Sequence, residues 1–402
     1  MHPTQAKPVT RRSALKSASK AIAIAASASA LPSWALPNLL PDETLIPFEG
    51  MPRTGPNRLD WESLNDWITP SDQVFNVQHY GIPEVELENY QLEVTGLVKQ
   101  PIKLSLAALQ QRAKKNALMT LECSGNGSSK GFMNAVYNGR WEGTGLRELL
   151  AECEVLPGAK EVVFFGADEK EETLREGTRR ELKVKVPFGR SMSLASIEET
   201  NPLLSYARNG TPLETRNGAP LRLIVPGWYG VANVKWLTRI DVRSDRYMGR
   251  YMGRDYVTVR GERQGEQVVF VESSVTKIRL KSVVARVHRR GTVDGKVPLR
   301  AMGAAWGDGT EITRVEVQVD DGAWQLAQLD PEPKSKFSWR FFSIDLGGIA
   351  PGKHKLVSRA IDAKGRVQPS SDDDEIALKK TYWEANQQWE REIVLGSMPL
   401  SN

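Results

Sequence analysis

Apolar and polar residues alternate with period two in "NYQLEVT", residues 89–95, which predicts a half-buried strand. The next stretch, "LSLAALQQR", changes to helical spacing, with Ser105 placed to cap its first turn. "ALMTLEC" is a short apolar strand that ends at Cys123 and runs directly into the small-residue loop "SGNGSSKG". Beyond the loop, "VYNGRWEGTGLRELLAEC" predicts a turn followed by a helix. Leu146, Leu149, Leu150 and Cys153 share one face of that helix, so Cys153 reads as a small buried hydrophobe. "EVVFFGAD" predicts a strand ending at Asp168, and "APLRLIVPGWYGVANVKWLTRIDV" a strand, a Pro-Gly loop and a second strand. Strands alternating with short helices predict a mixed α/β domain.

The pattern changes after about residue 273. "ARVHRRG", "VPLRAMGAAWG", "RVEVQVDDGAWQLAQL", "FSWRFFSIDL" and "HKLVSRAIDAKG" are short alternating runs separated by turn signals, with "DDGAW" a hairpin cue. Their spacing predicts an immunoglobulin-like β-sandwich. Residues 36–65 are rich in Pro, Asn and Gly and predict an arm laid over the surface. The expected fold class is therefore α+β. A leader (1–35) and the arm (36–65) precede a mixed catalytic domain (66–272) and a sandwich with its tail (273–402).

A chain of 402 residues with 40% hydrophobic content can bury two sizeable cores. Its formal charge of +5 comes wholly from Lys7, Arg11, Arg12, Lys16 and Lys20, because the first 35 residues hold no acid. The remainder is balanced, which argues against a nucleic-acid partner. Around those cations, "TRRSALK", an alanine-rich stretch from Ala21 to Leu31 and Ser33-Trp34-Ala35 read as a twin-arginine-type export signal with a cleavage site. The stretch is too short for a membrane span, so the expectation is a periplasmic protein with no stable span after cleavage.

Candidate chemistry is sparse. The four histidines, His2, His79, His288 and His354, form no zinc motif. No Cys-x-x-Cys-His attaches a c-type haem, and no Gly-x-Ser-x-Gly elbow supports a serine triad. "GNGSSKG" is not a phosphate loop, since Lys130 precedes a glycine. What survives is one soft sulfur donor, Cys123, at a strand end among residues small enough to admit a bulky group.

"LECSGN", "RWEGTGLRELL", "GAPLRLIVPGWYGVANVKWLTRIDV" and "GRDYV", in this order, resemble the sulfite oxidase family of molybdenum enzymes. The resemblance implies a molybdenum–molybdopterin cofactor with Cys123 as the single protein ligand to the metal. It implies Arg222, Lys235, Asn233, His79, Asp168 and Asn217 as cofactor contacts, Asn217 standing where the family often has histidine. Tyr256 matches the family's active-site tyrosine, and Trp141 an aromatic wall of the substrate pocket. Sulfite-specific members carry arginines where this chain has Val77 and Ser128. Lys130, Arg140, Arg250 or Arg254 are the cations that could compensate.

The leading expectation is oxidation of sulfite to sulfate, with electrons passed to a separate c-type cytochrome or another acceptor, since no haem module is read in the chain. One alternative keeps the cofactor but makes the protein a sulfane-sulfur dehydrogenase or a reductase of S- or N-oxides. The other is an exported binding or scaffold protein. The sandwich resembles the family's dimerisation domain, which implies a homodimer.

Overall fold

The computed structural model describes residues 43–50, 57–331 and 335–396; the proposed leader lies outside them. Two five-stranded sheets build the first domain. One is antiparallel, in the order Thr211–Pro212, Leu203–Arg208, Val136–Gly145, Lys114–Glu122, with Arg222–Ile224 also pairing with Leu203–Arg208. The other runs Ile102–Ser105, Gln91–Gly96, Leu237–Arg243, Glu161–Leu174, Leu182–Ser193, and only its pairing of Gln91–Gly96 with Leu237–Arg243 is parallel. The described helices are no longer than seven residues, so the arrangement is α+β. Ser105 caps helix Leu106–Gln110 as expected, its Oγ accepting the Ala108 N–H at 3.2 Å. No helix among the described residues is long and apolar enough to cross a membrane.

The turn expected in "VYNGRWEGTG" is instead the ten-residue strand Val136–Gly145, paired on both sides. Gly143 in it serves close approach and not chain reversal. A Cβ at Gly143 would lie 2.1 Å from the Leu204 carbonyl oxygen, so the strands can approach here only without a side chain.

The sandwich forms as expected, from two five-stranded sheets over one apolar core. The arm is not a surface feature. Thr44–Ile46 pairs with Lys281–Arg289 in one sheet, and Phe48–Glu49 pairs with Arg391–Leu395 in the other. Further along, Leu59, Trp61 and Leu64 are buried, and Trp61 stacks on Trp306 with ring centroids 5.8 Å apart. Scattered apolar anchors carry no periodicity, so edge pairing of this kind leaves little trace in the sequence. In "FSWRFFSIDL", Phe341 packs into the core shared with the first domain and Phe342 into the sandwich core. Both faces of that strand are thus consumed within one chain.

Candidate active site

Cys123 follows directly from strand Lys114–Glu122. Its N–H donates to the Ala135 carbonyl at 2.9 Å, and its own carbonyl accepts the Asn126 N–H at 2.9 Å. The Asn126 side chain ties the loop twice more, donating to Glu122 Oε1 at 2.9 Å and accepting from the Ala135 N–H at 3.0 Å. Gly127 turns the chain at φ +95°, where a Cβ would lie 3.0 Å from the Ala385 carbonyl oxygen. The result is a fixed loop that presents a half-buried thiol to a cavity in the first domain.

That cavity brings together Cys123, His79, Asp168, Arg222, Asn233, Lys235 and Tyr256. Asp168 reaches it from a register shift in strand Glu161–Leu174, which runs on past the expected end. The irregularity turns the carboxylate out of the ladder. Trp141 and Asn217 do not line the cavity. Trp141 is fully buried behind it, with the Arg222 guanidinium 5.3 Å above its ring, because strand pairing turns it toward the domain core. Asn217 contributes its backbone carbonyl, which accepts from Arg222 Nη1 at 3.2 Å.

At the cysteine end, the Tyr256 hydroxyl lies 3.1 Å from His79 Nε2. Burial pulls the His79 pKa down to about 4, an effect Asp255 opposes and Lys235 and Arg250 reinforce, so the imidazole is neutral at neutral pH. Burial likewise raises the Tyr256 pKa far above the ordinary phenol value, so its hydroxyl stays protonated and able to donate. Burial also pushes the Cys123 thiol up, against the opposing bond from the Gly125 backbone. A metal binding there would displace the proton. Ser124 Oγ is buried without a hydrogen-bond partner, and its residue lines the cavity.

Two basic residues, Arg222 and Lys235, line the same cavity. Arg222 is buried, and its guanidinium donates to the carbonyls of Asn217 and Asn233, each at 3.2 Å, and also bonds Tyr137. Lys235 Nζ donates to the Arg216 carbonyl at 2.8 Å and to the Asn76 side chain. Burial and then Arg222 lower its pKa to about 6, while burial raises Asp168 to about 6. The Asn233 side chain closes its own turn, accepting from the Val225 N–H at 2.8 Å and donating to the Tyr229 carbonyl at 3.0 Å. Sequence reasoning missed two residues here. Arg208 is buried with Nη1 unpartnered, its guanidinium 5.7 Å from the Tyr137 ring centroid; Ser124 was legible as the neighbour of the cysteine.

None of the compensating cations lines the cavity. Arg250 and Arg254 both pair with Glu172 at 3.2 Å, while Lys130 and Arg140 are exposed. Val77 does line it, and Ser128 does not.

Among the described residues, no group of three or more His, Cys, Asp or Glu side chains could hold a metal ion. A metal at Cys123 must therefore bring most of its ligands with it. Buried cations bonded to carbonyls suit an anionic tail on that group, and the orphaned Ser124 hydroxyl suits a hydrogen bond beside the metal. The donor set fits molybdenum carried on a pterin that ends in a phosphate.

Fold and site together define a molybdopterin-dependent oxidoreductase. Residues 79–251 match the oxidoreductase molybdopterin binding domain, and residues 272–384 the Mo-co oxidoreductase dimerisation domain. Chicken (Gallus gallus) sulfite oxidase is 31% identical over 76% of this chain and 69% of its own length. Human (Homo sapiens) mitochondrial sulfite oxidase is 30% identical over 76% of the chain, which spans 58% of that relative. The fold is also that of the sulfane dehydrogenase SoxCD of Paracoccus pantotrophus, with a TM-score of 0.68 at 23% identity, covering 88% of this chain and 90% of that one. The chain belongs to the sulfite oxidase family.

The depressed His79 pKa has a thermodynamic signature. Between about 4 and the ordinary 6.5 the unfolded state binds more protons at this position, so its contribution to stability is lost as pH falls through that window. Asp168, raised by burial, acts with the opposite sign in part of the same range. The difference between wild type and His79→Gln isolates the histidine. Thermal melts of cofactor-free protein should show the wild-type advantage shrinking from pH 6.5 toward pH 4.

Proposed function

We propose that this protein is a periplasmic enzyme that transfers an oxygen atom at the sulfur of a substrate whose reacting end carries less charge than sulfite. A sulfane sulfur or an S-oxide meets that description. The observation that carries this reading is a neutral wall of the cavity, made by Val77, Gln78, uncharged His79 and protonated Tyr256. A dianion entering there would give up its hydration without a charged partner on that wall. The sulfane dehydrogenase whose fold this chain shares gives the reading further support. Sulfite is the second reading, supported by relatives near 30% identity.

When bound, the molybdenum group supplies the two-electron exchange of an oxygen atom. The protein's part is positional. The Tyr256 hydroxyl donates toward charge developing on the transferred oxygen, and His79 holds that hydroxyl at 3.1 Å. Tyr256→Phe should therefore lower kcat by about 100-fold, at the lower end of the cost of losing one such donor. Metal content should stay unchanged.

In oxidation of a sulfane sulfur, water would supply the oxygen and two electrons would leave to a separate acceptor, for which a c-type haem protein is the natural class in the periplasm. Reduction of an S-oxide would run the other way, drawing two electrons from a donor and releasing water. The export-type leader supports that location, and the match to a dimerisation domain supports a homodimer. The decisive experiment measures reduction of cytochrome c or ferricyanide by molybdenum-loaded protein with sulfite, thiosulfate and a sulfane-bearing thiol adduct. S-oxide reduction is assayed separately with a reduced dye. A sulfite kcat/KM above that of every other substrate would return the assignment to sulfite.

A further inference from the structure

The loop that carries Cys123 is held by the sandwich as much as by its own domain. Glu122, the residue before the cysteine, is fully buried. Its carboxylate accepts from Lys281 Nζ and Asn126 Nδ2 on Oε1, and from Trp306 Nε1 on Oε2 at 2.9 Å. Lys281 is also buried and donates a second bond to the Asn126 carbonyl at 2.7 Å. Lys281 begins one sandwich strand, Trp306 ends the next, and the two are directly paired. A single rung of the second domain's sheet thus delivers two donors to one carboxylate beside the cysteine.

Two more contacts come from the tail of that domain. The Glu384 N–H donates to the Ser124 carbonyl at 2.8 Å, and Gln387 Nε2 to the Gly127 carbonyl at 2.7 Å. A buried ion pair is a poor source of stability, because desolvating both charges offsets most of their attraction. Its placement one residue from the thiol, with further donors aimed at the same loop, fits a role in fixing that thiol and its electrostatic surroundings.

We infer that Glu122, Lys281 and Trp306 are positioning residues for Cys123, through which the second domain sets the reduction potential of the metal centre. This inference rests on Cys123 being the metal ligand. The sign of each substitution follows from charge. Lys281→Met leaves the Glu122 carboxylate uncompensated, which favours the more positive, oxidised centre and lowers the potential. Glu122→Gln leaves the ammonium uncompensated and raises it. The double variant should return close to wild type.

The readout is the Mo(VI/V) potential of molybdenum-loaded protein, measured by redox titration followed by electron paramagnetic resonance. Opposite displacements in the two single variants are the expected result. A purely structural role would lower melting temperature and metal content in both without moving their potentials apart. Should the charge variants fail to fold, Trp306→Phe keeps the ring on Trp61, removes one donor and should lower the potential by a smaller amount. Unchanged or equally directed potentials at full metal loading would overturn the inference. Cys123→Ser separates the two failures: if its absorption spectrum keeps every sulfur-to-molybdenum band of the wild type, the ligand assignment is at fault and not the positioning network.

Discussion

Replacing Cys123 with serine should abolish turnover and remove the cysteine-thiolate-to-molybdenum charge-transfer band, leaving only the absorption of the pterin's own sulfurs. A hydroxyl is a harder and far less acidic donor than a thiol, and no other cysteine lines the cavity to take its place. Cys153 is fully buried under helix Leu146–Glu152 and packs in the core of the first domain. Losing an outer-shell partner of a metal ligand typically costs about 10–100-fold in affinity or activity. Loss of the ligand itself should exceed that. The fold should survive, because the loop is held through the Cys123 backbone and the Asn126 side chain and not through the thiol. Steady-state rates, visible absorption and thermal melts of the same preparation check all three expectations, and wild-type turnover in the serine variant would remove Cys123 from the centre of the mechanism.

The second large effect belongs to Arg222, where cofactor retention and stability should part company. Its guanidinium is buried and is bonded to two backbone carbonyls and to Tyr137, with no carboxylate partner among these. Arg208 adds positive charge nearby, and burial together with Arg222 holds the Lys235 pKa down to about 6, so that this amine gains its full charge only beside an anion. In the empty protein this concentration of cations is unfavourable, and burial accordingly lowers the Arg222 pKa. A terminal phosphate would turn the same cations into charge-assisted donors, each bond worth about 1.5–3 kcal/mol. Arg222→Met should therefore release cofactor about 10–100-fold more readily, as that bond energy implies. The melting temperature of cofactor-free protein should stay the same or rise. Molybdenum and pterin content after dialysis, together with melts of cofactor-free samples, test both halves; undiminished content would remove Arg222 from the cofactor site.

Acidification should act through His79 as worked out above, and this also bears on what could be read in advance. His79, Asp168, Tyr256 and the strand-loop-strand that carries both Arg222 and Lys235 come from separate segments, and only family resemblance linked them before the cavity was seen. Nothing in the local sequence says that residues so far apart converge. Trp141 illustrates the limit: its type and motif suggested a pocket wall, while the pairing of its strand on both edges buried it behind Arg222.

Local interactions were legible in the sequence itself. Period-two alternation located strands such as Gln91–Gly96, the hydroxyl of Ser105 marked a helix start, and the heptad-like face of Leu146, Leu149, Leu150 and Cys153 marked a buried helix. A soft donor at a strand end among small residues marked Cys123. Each of these signals depends on neighbours within a turn or a pleat, which is why sequence alone determined them. Only the tertiary structure decided that Gly143 in Val136–Gly145 allows strand contact, that the N-terminal arm completes both sandwich sheets, and that Glu122 meets Lys281 and Trp306. Those outcomes depend on register and on packing between residues far apart in the chain, where no periodicity reaches.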